Sequence, residues 1–188
     1  MTTTLPTASA KGALEHKLAD LGCGTGLLAA ELAPQVRSVL GVDQSAPMLK
    51  AARRRTAGFD NVRLEQGSLE ALPLPDACCD AALMVLALTY VSDVPLALRE
   101  AARVLRPGGR LVAVDLLRHD REDFRRLLGQ RSLGFETAEI AGRLREAGFA
   151  AARCRELPPE PDVKGPALFL ATGARLAPGP KSSKGETR

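Results

Sequence analysis

Leu18-Ala-Asp-Leu-Gly-Cys-Gly-Thr-Gly26 runs from a short apolar segment into three glycines at alternate positions, Gly22, Gly24 and Gly26. A helix-forming segment, Leu27-Leu-Ala-Ala-Glu-Leu32, follows at once. Strand, tight glycine turn and helix in that order open a nucleotide-binding βα unit. Glycine is needed where the chain takes φ > 0 or where a ligand must lie against bare backbone. The first N–H groups of the following helix have no partner inside it and supply donors to such a ligand.

The spacing narrows the reading. A dinucleotide fingerprint is G-x-G-x-x-G, whereas this loop is G-x-G-x-G with an acid, Asp20, two residues before the first glycine. A second apolar run, Val39-Leu-Gly-Val42, ends in Asp43. A carboxylate at the end of a second strand can accept both ribose hydroxyls of an adenosine. A nicotinamide-dependent oxidoreductase fits poorly, because the third glycine is out of place and no hydride-transfer partner is visible.

Asp20-Leu-Gly-Cys-Gly-Thr-Gly26 followed by Gly41-Val-Asp-Gln-Ser45 resembles the class I S-adenosylmethionine-dependent methyltransferases, in their ubiquinone-biosynthesis-like, small-molecule branch. Gln66-Gly-Ser-Leu-Glu-Ala-Leu-Pro-Leu-Pro-Asp76, Cys79-Asp-Ala-Ala82 and Arg103-Val-Leu-Arg-Pro-Gly-Gly-Arg110 agree with it, and the resemblance covers roughly residues 17 to 175. His119-Asp-Arg-Glu-Asp-Phe124, Leu133-Gly-Phe135 and Lys164-Gly-Pro-Ala-Leu-Phe169 are similar to the methyltransferase domain carried by some arsenic-repressor-type regulators. The resemblance implies a Rossmann-like α/β fold: a doubly wound, mostly parallel seven-stranded sheet whose last strand is antiparallel. It implies S-adenosylmethionine as cofactor. The backbone of Gly22, Cys23, Gly24 and Gly26 would hold its methionine part with Asp20, and Asp43 would hold the ribose with Gln44 alongside. Met48 and Leu69 would sandwich the adenine, Ser68 would meet its edge, and Val85 would close the set. The family usually has an aspartate where Ser68 stands, so weaker adenine selectivity is expected. It also commonly has one or two histidines near Ala87 to Val91, where Thr89 and Tyr90 stand instead.

Bulk properties bound the rest. At 188 residues the chain suits one domain with a real core. An apolar share of 45% and a charged share of 26% are ordinary for a soluble globular protein, while aromatics make up only 3%, so Leu, Ala and Val must build the interior. Of the formal net charge of +4, half sits after Pro180, in Lys181, Lys184 and Arg188 against Glu186. The body carries no basic run that argues for nucleic acid. The longest apolar run, Ala81 to Leu88, is too short to span a bilayer, and Met1 to Gly12 lacks the pattern of a signal peptide. Cys23, Cys78, Cys79 and Cys154 show no disulfide or metal spacing, which fits a reducing cytoplasm.

In chain order, residues 1–12 read as a flexible leader, 13–175 as the cofactor-binding domain and 176–188 as a disordered tail. The family usually places one or two helices before the glycine strand; about sixteen residues stand there here, with Ala13 to Lys17 able to make one turn. Three readings stay open: a more open cofactor pocket, another copy of the chain closing it as a homodimer, or a shortened or degraded gene. Arg37 to Val42 reads as the second strand, Ser45 as an N-cap with Pro47 just inside the helix, and Met48, Leu49, Ala51 and Ala52 as its inward face. Arg53-Arg-Arg55 suits the negative end of that helix. Val62 to Glu65, Asp80 to Leu88 and Arg110 to Asp115 read as the third, fourth and fifth strands. Val94, Ala97, Leu98, Ala101, Ala102 and Leu105 mark an amphipathic helix with Arg99, Glu100 and Arg103 outside. Residues 116–136 read as a polar, broken lid facing the substrate, and Thr137 to Ala147 as a further helix. Ala150 to Glu156 and Ala167 to Thr172 form a terminal hairpin pair.

Methyl transfer from a sulfonium asks little of a protein beyond holding nucleophile and methyl in line. No paired carboxylates, metal-ligand spacing or nucleophile–His pair is present. The catalytic candidates are His119, which could deprotonate an acceptor or be an exposed loop histidine, and Tyr90, which could position one or simply pack. A thiolate arsenic site is disfavoured, because Cys78 and Cys79 in an extended chain would point to opposite faces and Cys154 falls in a core strand. The functional expectation is methyl transfer to a small molecule, with no metal, nucleic acid or membrane; the rival is a non-catalytic cofactor-sensing module of the same fold.

Overall fold

The computed structural model describes residues 14–158 and 165–177. Its elements are β1 (Leu14–Leu21), α1 (Leu27–Leu32), β2 (Val36–Asp43), α2 (Ala46–Arg55), β3 (Val62–Gln66), β4 (Cys79–Val85), α3 (Val94–Val104), β5 (Leu105–Leu116), α4 (Glu122–Leu128), α5 (Thr137–Glu146), β6 (Phe149–Glu156) and β7 (Leu168–Arg175). The strands form one sheet in the order β3-β2-β1-β4-β5-β7-β6. β7 runs antiparallel to both neighbours, and all other pairs are parallel. The expected doubly wound sheet with its antiparallel last strand is therefore what the chain forms.

Winding reverses between β1 and β4, which flank one another although two strands separate them in sequence. At such a switch point the loops after the two strands diverge and leave a crevice at their carboxyl ends. Asp20 pairs in register with Gly41 on one side and Leu83 on the other, so Leu21, Asp43 and Val85 end near one another on that edge.

Alternation along the strands divides the interior. Ala19 and Leu21 join the larger core with Ala97, Leu98 and Ala101 of α3, Ile140 and Leu144 of α5, and Phe149 and Phe169. Leu18 and Val39 turn to the other face, against Ala29 and Ala33. Phe135 meets Phe169 edge to face at 6.5 Å. With few aromatics available, small buried alanines bring α3 close against the sheet.

Several boundaries differ from the sequence expectation. β1 begins at Leu14 rather than making a turn there; Lys17 pairs with Ser38, and its N–H donates to Asp80 Oδ2 at 2.6 Å. That extension is held by backbone pairing, which carries no hydrophobic signature. β4 stops at Val85 because Leu86 takes φ 52° and leaves the sheet; Leu88–Tyr90 form a 3₁₀ turn whose Leu88 is buried from the turn itself. β5 starts at Leu105, with the register shifting across Arg106–Gly109. Residues 116–136 include a helix, α4. Met48 is 46% exposed rather than inward, whereas Leu49 and Ala52 are fully buried. Cys154 lies on the edge strand, half-buried. Cys78 precedes β4, so the Cys78 and Cys79 sulfurs stand 3.3 Å apart instead of on opposite faces. The leader 1–12 and, apart from Leu176 and Ala177, the tail 176–188 lie outside the described residues.

Candidate functional site

A cleft of about 470 Å³ opens at the carboxyl ends of β1, β2 and β4, a size suited to a nucleoside-sized ligand. Asp20, Gly22, Cys23 and Gly24 form one wall with Leu27 and Leu28 of α1. Asp43, Gln44, Ser45 and Met48 form the next, then Gly67 to Glu70, Val85 to Ala87, Tyr90 to Ser92, and Arg131.

The glycine loop is folded by backbone hydrogen bonds, to the end of β2 and within itself. The N–H groups of Gly22 and Cys23 both donate to Val42 O, at 2.7 and 3.0 Å, and Gly26 N–H donates to Cys23 O at 2.8 Å. Gly26, at φ 74°, caps α1, and a Cβ there would stand 2.9 Å from Ala52 Cβ, so this glycine lets α1 pack on α2. It does not line the cleft. Gly24, at φ 52°, lines the cleft, and a Cβ there would meet nothing within 4 Å, so a ligand can lie against its bare backbone.

Asp43 ties the loop to α2. Its Oδ2 accepts from Gly24 N–H and its Oδ1 from Ser45 N–H, both at 2.8 Å. Each carboxylate oxygen has a second lone pair, so a held Asp43 can still accept from a ligand hydroxyl. Ser45 in turn caps α2 by accepting from Met48 N–H, and Arg55 at the far end donates to Thr25 O and Oγ1. The arginine triplet thus does more than suit the helix dipole: one member anchors the glycine loop.

Asp20 is 2% exposed, and its Oδ2 has no hydrogen-bond partner among the described residues. Burial, reinforced by the charge of Asp43, pushes its carboxyl up to about 6 from an ordinary 3.8. A buried carboxylate oxygen left bare costs free energy until a cation or donor reaches it. Cys23 next to it is pushed up to about 12 by burial and by the charges of Asp20 and Asp43, so it remains a thiol and not a nucleophile. Burial raises Cys79 and Cys154 likewise.

Three carboxylates that sequence reasoning left without a role hold the cleft's other walls. Glu70 Oε1 accepts from Ser92 and Asp93 N–H at 2.8 and 2.6 Å, joining the turn after β3 to the segment after β4. Ser68 Oγ accepts from Glu70 N–H at 3.1 Å within the same turn. Asp115, fully buried, accepts from Leu88, Thr89 and Leu116 N–H, and so fixes the turn that carries Tyr90. Glu100 and Arg103, expected on the outside of α3, reach back to the loop after Ser68. Glu100 accepts from Leu72 N–H; Arg103 donates to Leu72 O and Leu74 O and pairs with Glu100 and Asp76. Their helical spacing marked them as surface residues, and nothing local pointed to a loop about thirty residues earlier.

Of the catalytic candidates, Tyr90 lines the cleft and His119 does not; His119 Nδ1 accepts from Arg121 N–H on the strap that follows β5. Among the described residues no group of three or more His, Cys, Asp or Glu side chains is placed to hold a metal ion. No helix among them is long and apolar enough to cross a membrane.

The family model for the methyltransferase domain matches residues 19–113. Over 103 residues the chain is 40% identical to the uncharacterized methyltransferase YcgJ of Bacillus subtilis, covering 54% of this chain and 41% of that protein. Over 102 residues it is 44% identical to the demethylmenaquinone methyltransferase of Tropheryma whipplei, covering 53% and 41%. The chain thus spans about two-fifths of the length of these curated relatives. The solved structure of an S-adenosylmethionine-dependent methyltransferase from Mesorhizobium loti superposes with a TM-score of 0.74 at 25% identity, covering 87% of this chain and 92% of that one.

Proposed function

The chain belongs to the methyltransferase domain family of class I S-adenosylmethionine-dependent enzymes, and from that premise we propose that it transfers a methyl group to a small-molecule acceptor. The observation that carries this reading is the convergence of Gly24's bare backbone, the prepositioned Asp43 carboxylate and the unpartnered Asp20 Oδ2 in one cleft at the switch point. S-adenosylmethionine, when bound, supplies an electrophilic methyl on a sulfonium whose leaving group is neutral. Asp20 Oδ2 suits the ammonium of its methionine part, and Asp43 suits the ribose hydroxyls. Met48 and Leu69 offer apolar faces to the adenine, with Ser68 at its edge, and Gln44 stands beside Asp43 at the ribose. Val85 closes the cofactor's part of the cleft, and Tyr90 would face the acceptor, where the protein's task is to hold a nucleophile in line and keep water out. His119 lies outside the cleft, so we assign it no proton transfer. Four free cysteines suit a reducing compartment, and we place the protein in the cytoplasm.

Calorimetry with S-adenosylhomocysteine tests the cofactor assignment. The native chain should bind it, and Asp43→Ala should weaken binding by about 2 kcal/mol, or roughly 30-fold, through loss of charge-assisted hydrogen bonds. Unchanged affinity would refute the ribose assignment. Binding with no methyl transfer across a broad acceptor panel would favour a cofactor-sensing module instead.

A further inference from the structure

Arg131 is the single cation among the residues lining the cleft, which otherwise presents the carboxylates of Asp20, Asp43 and Glu70. It also lines a second, more open recess of about 570 Å³, which shares Val91 and Ser92 with the first and extends toward Arg118, Phe135 and Arg143. The other two guanidiniums of that recess are committed. Arg118 pairs with Glu136 at 3.4 Å and with Glu139 at 3.0 Å; Arg143 pairs with Glu139 at 2.6 Å and lies over the Phe135 ring. The exposed guanidinium of Arg131 makes no ion pair or side-chain hydrogen bond among the described residues.

Its backbone, by contrast, is held. The N–H groups of Arg131 and Ser132 both donate to Thr89 O, at 2.8 and 3.2 Å, immediately before Tyr90. The strap continues through Ser132 Oγ to Gly134 O, and through Phe135 N–H to Leu116 O at 3.0 Å. Gly134 allows the approach, since a Cβ there would overlap Leu117 O. A fixed root with an uncommitted, always-charged fork at the junction of two cavities is a site for an oxyanion. The cleft's own carboxylates form no ion pair with it among the described residues: Asp43 is held on the N–H groups of Gly24 and Ser45, and Glu70 on those of Ser92 and Asp93.

We propose that Arg131 selects the methyl acceptor: the substrate carries a carboxylate or phosphate that this guanidinium grips, with its apolar body against Leu86 and Val91. This rests on the cofactor reading above. The opposite end of the cleft, at Asp43, Met48 and Ser68, is left to the adenosine.

The test uses the full chain saturated with S-adenosylhomocysteine and three probes of similar size, benzoate, phenyl phosphate and neutral benzamide, titrated by NMR. At least one anion should bind about tenfold or more tightly than benzamide, as a charge-assisted pair requires, and which one does identifies the oxyanion. Arg131→Gln should erase that preference, Arg131→Lys should keep part of it, and neither should change affinity for S-adenosylhomocysteine by more than about twofold, within the spread expected for a site with no shared partner. Equal binding of all three probes to the native chain overturns the proposal. So does weakened S-adenosylhomocysteine binding by Arg131→Gln, which would put the guanidinium on the cofactor's own carboxylate. Failure of the native chain to bind S-adenosylhomocysteine removes the cofactor reading first, and this one with it.

Discussion

Replacing Asp20 by asparagine should separate what the ligand-free fold prefers from what the cofactor requires. Asp20 is almost wholly buried with one bare oxygen, and its carboxyl titrates at about 6 in the folded chain against 3.8 ordinarily. Because the folded value is raised, the native state holds the proton more tightly than the unfolded chain does. Ionisation therefore costs stability above about pH 6, and the cost vanishes below the unfolded value. At about 1.4 kcal/mol per tenfold, the displacement is worth on the order of 3 kcal/mol over the whole span, of which about 2 falls between pH 4.5 and 7.5. Urea unfolding of both ligand-free chains across that range reads it directly. The asparagine chain should gain about 2 kcal/mol on the native one as pH rises, whatever constant offset its amide introduces. The same variant should bind S-adenosylhomocysteine at least tenfold less tightly, as the proposed pairing of Asp20 with the ammonium requires. Parallel stability curves would refute the argument that Asp20 is a charge kept uncompensated for a ligand.

Two further replacements probe the walls of the cleft. Asp115→Ala strips three buried N–H groups, at Leu88, Thr89 and Leu116, of their acceptor; chemical denaturation should show a loss of about 2–4 kcal/mol, and hydrogen exchange at residues 88–91 should quicken. Arg103→Gln removes the donors that hold Leu72 O and Leu74 O; exchange at residues 70–76 should rise, and S-adenosylhomocysteine affinity should fall about threefold to tenfold through the loosened wall of the cleft at residues 67–70.

The glycine loop, Asp20 and Asp43 were legible because their requirements are local. A turn with φ > 0, a backbone left bare for a ligand and an acid at a strand end each show as a residue type at a fixed spacing. α3 was legible for the same reason: its buried alanines and leucines recur with the period of the helix. The end of β4 was not, because Leu86 to Leu88 are as apolar as a strand, yet the chain turns at Leu86, whose N–H still reaches Val114 O, and Asp115 of β5 holds the N–H of Leu88 beyond the turn.

The wider constellation depended on distance in the chain collapsing to contact. Glu70 reaches Ser92, Arg103 reaches Leu72, and Arg131 is pinned to Thr89 by a backbone bond that any residue type could make. Side-chain identity dictates short-range conformation through sterics and hydrogen bonding between neighbours, so the primary structure alone settled the βα nucleotide unit and the kind of sheet it opens. Which charges meet, which oxygen stays bare and which guanidinium is left over follow from strands crossing over one another, and only packing in three dimensions could decide them.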